Sequence, residues 1–302
     1  MRVLYLEGDP NGARFVSGTL TRMGVAHELA RPGGTLPRDL SRFQATILSD
    51  FPHHYLRELE ALLVHAVGSA GMGLLMVGGW RSFGRGGYAE TPLGELLPVF
   101  VLAGDDRMNV PSGMLVEPVG LHPICRGINW NRPVVVTGHN RVAARASTTT
   151  VLVGRTIERG HEGLRLGSHR APLLVVKQAQ GASGRTAALS TDLAPRWGGG
   201  LVDWGSKTLA LGEDEEVGDS YATFVMNLVR WVAGEETIRS SLPSWDELAE
   251  MPALERPGVR AKPKLEGPRL CRLGPSLLRA RLELARLAAP PPQDGVSTNS
   301  TT

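Results

Sequence analysis

Gly73–Pro98 reads GLLMVGGWRSFGRGGYAETPLGELLP. The apolar run Leu74–Val77 enters directly a glycine-rich turn that holds Trp80, Arg81, Ser82 and Phe83 between Gly78-Gly79 and Gly84, Gly86 and Gly87. A strand of a parallel sheet covered on both faces is a continuous hydrophobic run, not an alternating one. In open α/β sheets, ligands sit outside the carboxyl ends of such strands. The stretch therefore predicts a buried strand that delivers side chains to a rim, with Gly79–Tyr88 bordering any site.

Upstream, strand and helix alternate. Arg2–Leu6 is a short apolar strand, and the turn-rich Glu7–Gly12 follows it. Val16, Leu20 and Met23 share a helix face that ends at Gly24, a C-cap glycine. Val25–Leu29 and Ala45–Leu48 read as the next strands, and Tyr55–Val67 as a helix with Leu56, Leu59, Leu63 and Val67 inward. This pattern predicts right-handed βαβ crossovers and a doubly wound, mostly parallel sheet.

Downstream, Thr91–Leu97 is a short helix, with Thr91 as N-cap and Pro92 at its first position. Short β-branched strands then follow at Val99–Leu102, Gly113–Glu117, Pro133–Thr137, Thr150–Gly154, Leu173–Lys177 and Arg185–Leu189, which predicts antiparallel additions to the sheet. The acidic run Glu213–Asp219 precedes a helix over Ser220–Ala233 and reads as a solvated cap. Residues 1–238 thus form one α/β domain. Residues 239–302 are a proline-rich basic tail, largely extended or disordered, with one short amphipathic helix over 276–289.

The formal charge of +3 resides in that tail: residues 1–238 hold 23 Lys+Arg and 23 Asp+Glu, whereas residues 239–302 hold 10 and 7. A domain that grips several phosphates needs a basic surplus, so no nucleic-acid partner is expected. The chain lacks a run of roughly 18 apolar residues, so no membrane partner is expected either. Cys125 and Cys271 lie far apart, which argues against a disulfide framework or a cysteine metal site. The start MRVLYLEGDP reaches charge and proline too early for a signal peptide, so a cytoplasmic location is expected.

Five strings resemble a known family. ILSDFP (Ile47–Pro52), Gly73–Val99, DDR (Asp105–Arg107), HPI (His122–Ile124) and STDLAPRWGGGLVDWG (Ser190–Gly205) are similar to glutamine amidotransferase-like proteins, a branch of the class I glutamine amidotransferase-like superfamily near the trehalose-utilisation-type proteins. The resemblance covers about residues 2–235, and the long glycine-rich string carries most of its specificity. It implies a flavodoxin-like core, in agreement with the alternation above. Class I members attack glutamine with a cysteine on a strand-to-helix elbow, assisted by a distant His and Glu. By the resemblance, that elbow falls on Val77-Gly78-Gly79-Trp80-Arg81-Ser82, which has no cysteine, and the histidine falls near Ser190-Thr191-Asp192, which has none. Thiolate attack needs both sulfur and base, so the fold and the site location carry over while the glutaminase residues do not.

The candidate ligand-binding residues are Gly79, Trp80, Arg81, Ser82, Asp50, His53, Asp192 and Trp197. Ser82 is the substitute nucleophile to test, although the pattern is not G-x-S-x-G. Arg81 and Arg85 beside successive glycines suggest an anion cradle, but no nucleotide motif is present. His53 and His54 would need ligands such as Asp9, Asp192 or His122 to hold a metal; neither a metal nor a cofactor is expected. Trp197 and Trp204 beside Gly198–Gly200, read as a loop, could stack on a sugar or another flat ligand. Cys125 reads as a small buried apolar residue.

Three functions fit. The first is an amidotransferase-like protein without the Cys-His glutaminase residues that binds a small polar ligand or regulates a partner. The second is a hydrolase or amidotransferase with a substitute nucleophile such as Ser82. The third is an assembly protein, a homo-oligomer docked through its C-terminal tail.

Overall fold

The computed structural model describes residues 1–235 except 57, 162 and 213. The tail 239–302, its stretch 276–289 and Cys271 lie outside the described residues. In chain order the elements are β1 (Arg2–Glu7), α1 (Ala13–Arg22), β2 (Ala26–Ala30), β3 (Ala45–Ser49), a 3-10 turn (His53–Leu56), α2 (Glu60–Ser69), β4 (Gly73–Val77), α3 (Pro92–Leu96), β5 (Val99–Val101), β6 (Arg107–Pro118) and a second 3-10 turn (Pro123–Cys125). There follow β7 (Val135–Asn140), β8 (Val142–Ala144), β9 (Thr149–Gly160), β10 (Gly163–Leu166), β11 (Ala171–Lys177), β12 (Thr186–Leu189), α4 (Pro195–Val202), β13 (Thr208–Ala210), β14 (Glu216–Gly218) and α5 (Asp219–Val232).

The main sheet runs β2-β1-β3-β4-β12-β11-β9-β6-β7, with β10 attached to β9. Within it β2, β1, β3, β4 and β12 are parallel. From β12 to β7 each neighbour is antiparallel to the last. This is the flavodoxin-like, doubly wound sheet with antiparallel additions. β12 closes the parallel block beside β4, so the chain re-enters that block after its antiparallel excursion.

Alternate side chains of β1 serve opposite faces, as the pleat requires. Val3 and Tyr5 join a core with Val16 and Leu20 of α1 and with Phe224, Leu228 and Trp231 of α5. Leu4 and Leu6 join one with Leu63 and Val67 of α2 and Leu93 of α3. All residues of β3 and of β4 are buried, which accounts for their unbroken apolar sequences. Among the described residues no helix is long and apolar enough to cross a membrane.

Four local expectations need correction. The acidic run read as a solvated cap contains buried Glu215 and β14, which pairs with β13, and Val99–Leu102, read as an addition to the main sheet, is β5, which pairs with β8 in a two-stranded sheet of its own. The helix read over Tyr55–Val67 is a 3-10 turn followed by α2 from Glu60 to Ser69. Gly198–Gly200, read as a loop, lie inside α4, which Pro195 opens. Glycine is required by packing at two of the three positions: a Cβ on Gly200 would overlap the Val135 carbonyl of β7, and one on Gly198 the Asp192 carbonyl, whereas Gly199 faces open space. Local propensity argues against that helix, and its close approach to β7 overrides it.

Candidate functional site

β1 lies between β2 and β3, so successive crossovers leave it in opposite directions and open the sheet above β1 and β3. Glu7, Gly8 and Asp9 line that switch point from β1, and Asp50 lines it from β3. The Gly8 amide donates to Ser49 O at 2.9 Å. Asp50 sits at φ 47°, a left-handed conformation that Asp tolerates better than most residues. Its carboxylate accepts the Arg81 amide at 2.7 Å, and the Arg81 guanidinium donates to Gly8 O at 2.6 Å. The glycine-rich loop after β4 is thereby tied across the switch point. A side chain on Gly79 would displace the Asp50 carboxylate.

A second anchor comes from the antiparallel half. The amino end of β6 and the carboxyl end of β7 reach the same edge as the carboxyl ends of the parallel strands. There the Asn140 carboxamide pairs with both main-chain groups of Gly79, accepting its amide at 2.9 Å and donating to its carbonyl at 3.2 Å. The same Nδ2 donates to Asp106 at 3.1 Å. Asp106, with no exposed surface, accepts the amides of Gly84 at 3.0 Å and Arg85 at 3.1 Å. Three of the amides expected to cradle an external anion are therefore satisfied internally, Gly79 by Asn140 and Gly84 and Arg85 by Asp106.

Ser82 is 2 % exposed. Its hydroxyl donates to Val77 O at 2.6 Å and accepts the Asp50 amide at 3.1 Å. Both contacts are main-chain, and they lock the strand end of β4 to that of β3. Activation as a nucleophile needs an adjacent base, whereas this proton is committed to a carbonyl.

At the rim, Trp80 is 37 % exposed. Its ring stacks on Trp197 with centroids 6.5 Å apart, and the guanidiniums of Arg107 and Arg196 approach it at 4.7 and 5.6 Å. Such contacts hold cations beside an aromatic face. Arg107 is paired with Asp105 at 2.6 Å, and Arg196 lies 3.5 Å from Asp9. Trp197 is buried and donates to Asn109 Oδ1 at 2.8 Å, so it supports Trp80 from beneath. Trp204 points elsewhere, buried against Trp130 with its Nε1 on Arg132 O at 3.0 Å. Only Trp197 of the two tryptophans beside the glycines belongs to this rim.

Beneath the rim lies a group of buried carboxyls. Burial pushes Glu7 from 4.5 up to about 7, although Tyr5 donates to it at 2.6 Å and the Asp9 amide at 2.7 Å. Burial also raises Asp50, against the opposing pull of the Arg81 amide and guanidinium. Asp192 is raised well above the usual carboxylate range by burial and by Asp50, Glu7 and Asp9, despite the Ala194 amide at 2.8 Å. Desolvation disfavours the charged forms, and too little cationic charge penetrates to restore them. His139, buried at the end of β7 with Nδ1 3.0 Å from Asn140 O, is depressed by burial.

The remaining candidates disperse. His53 stacks edge-on to Tyr88, with Nε2 2.9 Å from Glu60 Oε1, on the α2 side of the loop. His54 is exposed and packs on Tyr55. His122 and Cys125 lie past the carboxyl end of β6, at the opposite edge of the sheet, and burial lifts the Cys125 thiol to about 11. Among the described residues no group of three or more His, Cys, Asp or Glu side chains can hold a metal ion. Two cavities also open at that opposite edge. One of about 340 Å³ is lined by Pro118, Leu121, His122, Cys125 and Trp130, and another of about 230 Å³ by Arg132, Asp203 and Trp204.

The structure thus brings Gly79, Trp80, Arg81, Ser82, Asp50, Asp192 and Trp197 to one edge and sets His53 to its side. Sequence reasoning missed Glu7, Asp106, Asn140, Arg107, Arg196 and His139 as parts of that edge. The DDR string pointed at Asp106 and Arg107 without a role. Asn140 carries no local signal, since its partner Gly79 lies 61 positions away.

The family model described as "Putative glutamine amidotransferase" matches residues 53–210. No curated protein sequence matches the chain. Two solved structures from Salmonella typhimurium share its fold. "Cytoplasmic Protein STM3548" is 22 % identical, with a TM-score of 0.58 over 77 % of this chain and 99 % of that one. "Cytoplasmic Protein STM1381" is 21 % identical, with a TM-score of 0.59 over the same shares. The chain belongs to the glutamine amidotransferase-like family that this model describes.

Proposed function

We propose that this protein is an amidotransferase-like protein that has given up glutaminase chemistry and uses the carboxyl edge of its sheet to bind a small polar ligand. The observation that carries the reading is the content of the turn after β4. Gly78, Gly79, Trp80 and Arg81 stand where the resemblance places a cysteine, and the nearby Ser82 hydroxyl is bound to Val77 O. The edge keeps groups suited to recognition: Trp80 with Arg107 and Arg196 at the rim, and Asp50 and Asp192 below. Paired arginines and buried carboxyls favour a ligand with hydroxyl or amide donors and acceptors over a free polyanion.

The test is ammonia release from L-glutamine by the purified full-length protein. The expected rate equals that of the protein-free control, and a rate abolished by Ser82→Ala or Cys125→Ala overturns the loss of chemistry. Binding is tested by the melting temperature with neutral sugars and with amides such as asparagine. A rise that Trp80→Ala removes supports the reading, and a rise that Trp80→Ala and Asp192→Asn both leave intact moves the site elsewhere.

A further inference from the structure

The larger cavity lies at the amino edge of the parallel strands, away from the proposed ligand site, and is lined mainly by apolar groups of Pro118, Leu121, Pro123, Cys125 and Trp130. Leu121 is fully exposed and Val119, beside Pro118, is 42 % exposed. Scattered exposed leucines need no explanation, but an exposed leucine at the mouth of an apolar groove implies a cover. The groove is firmly built. The Asn227 carboxamide of α5 donates to Ile124 O at 3.1 Å and Arg126 O at 2.8 Å, and His122 packs on Trp231 with ring centroids 5.4 Å apart.

The described chain ends four residues after Trp231, whose ring packs on His122 of this groove. Glu235 is one helical turn beyond Trp231, and its amide still bonds to Arg230 O at 3.0 Å. Residues 236–302 continue the chain from that point. They include the sequence SLLRARLELARLAA (276–289), in which Leu278, Leu282 and Ala285 recur at four- and three-residue spacing next to Leu277, Leu284 and Ala288. We infer that the groove between Leu121 and Trp130 is the docking site for the leucines of this chain's own residues 276–289. The linker of residues 236–275 is long enough to return to the groove, and tethering holds the segment near it at high effective concentration. This inference is independent of the ligand reading, which concerns the opposite edge.

Cys125 lines the groove and reports on its cover. In full-length protein carrying Cys271→Ser it is the only thiol, and its rate of alkylation by iodoacetamide is measured with and without Leu278→Asp/Leu282→Asp. The expected result is that the double substitution accelerates alkylation about tenfold, as millimolar effective concentration acting on a weak contact predicts, and lowers the melting temperature by a few degrees, since the docked segment binds only the folded state. Protection in the parent should not vary with protein concentration. Equal rates in the two proteins overturn the proposal, and protection that weakens on dilution assigns the groove to a second copy instead. A second measurement decides if Cys125 is slow in both. Leu282→Cys, with Cys271→Ser, should form an intramolecular disulfide with Cys125 under mild oxidation, and its absence overturns the proposal.

Discussion

At the carboxyl edge of the parallel strands Glu7, Asp50, Asp106, Asn140 and Asp192 are buried, whereas the side chains buried around Ile124, Trp204 and Val232 at the amino edge are mostly apolar, with Asn227 the buried polar group bonded to the Ile124 carbonyl. The first edge is held by directional bonds between residues far apart in sequence, such as Asn140 to Gly79 and Asp106 to Gly84. The second is held mostly by area removed from water. Directional bonds fix groups within narrow tolerances and cost free energy when one partner is lost. Apolar packing tolerates more adjustment. A site that positions polar groups belongs on the first kind of edge, and a docking groove on the second.

The comparison breaks most sharply at glycines. A Cβ on Gly8 would overlap the Asp50 carbonyl across the switch point. Gly8→Ala should destabilise the protein by about 4 kcal/mol or more, as forced backbone displacement in a packed site does. Urea unfolding measures it, and a loss below about 1 kcal/mol would show that β1 and β3 can part at little cost.

Protonation gives the next largest effect. Glu7 is raised from 4.5 to about 7, and Asp50 and Asp192 are raised too. The folded state therefore holds protons that the unfolded chain has already released, and stability falls as pH rises from about 4.5 to about 7. Glu7→Gln keeps the shape without the charge and should remove up to about 3 kcal/mol of that fall. Denaturant midpoints at pH 5 and pH 8 test it: a midpoint that does not drop in the parent, or that drops equally in the variant, contradicts the account.

Ser82→Ala sharpens the distinction between a nucleophile and a strut. It leaves the Asp50 amide and the Val77 carbonyl without their side-chain partner, and should cost about 1–3 kcal/mol. Unchanged stability joined to a lost activity would reverse the assignment. The smallest effect belongs to the amino edge. Gly68, in α2, has no atom within 4 Å of an added Cβ, so Gly68→Ala should stabilise by up to about 1 kcal/mol through helix propensity alone. A destabilised variant would mean that the amino edge is as tightly constrained as the other.

Much of the architecture was legible. β4 occupies the span its apolar run predicted, Thr91 caps α3 through Gly94 N at 3.0 Å, and the strand-helix alternation before residue 80 is the parallel block. Less of the site was. Trp80, Arg81 and Ser82 were placed at the rim from their position after a buried strand, but the bonds that define their roles were not visible. α4 was read as a loop because three glycines look like flexibility, when Gly200 marks the close approach of a helix to β7 and Gly198 its approach to the Asp192 carbonyl.

By itself the sequence determined where chain segments are buried, because hydrophobic periodicity is a local property that survives in one dimension. It also determined that the turn after β4 holds no thiol. The tertiary structure alone decided that Ser82 spans two strand ends, that Asp106 takes the loop amides, that Trp80 lies near two arginines and that Cys125 and Trp204 face the other edge. The physical reason is that hydrogen bonds and ring contacts are short and directional, so their partners are set by how strands distant in sequence register against one another.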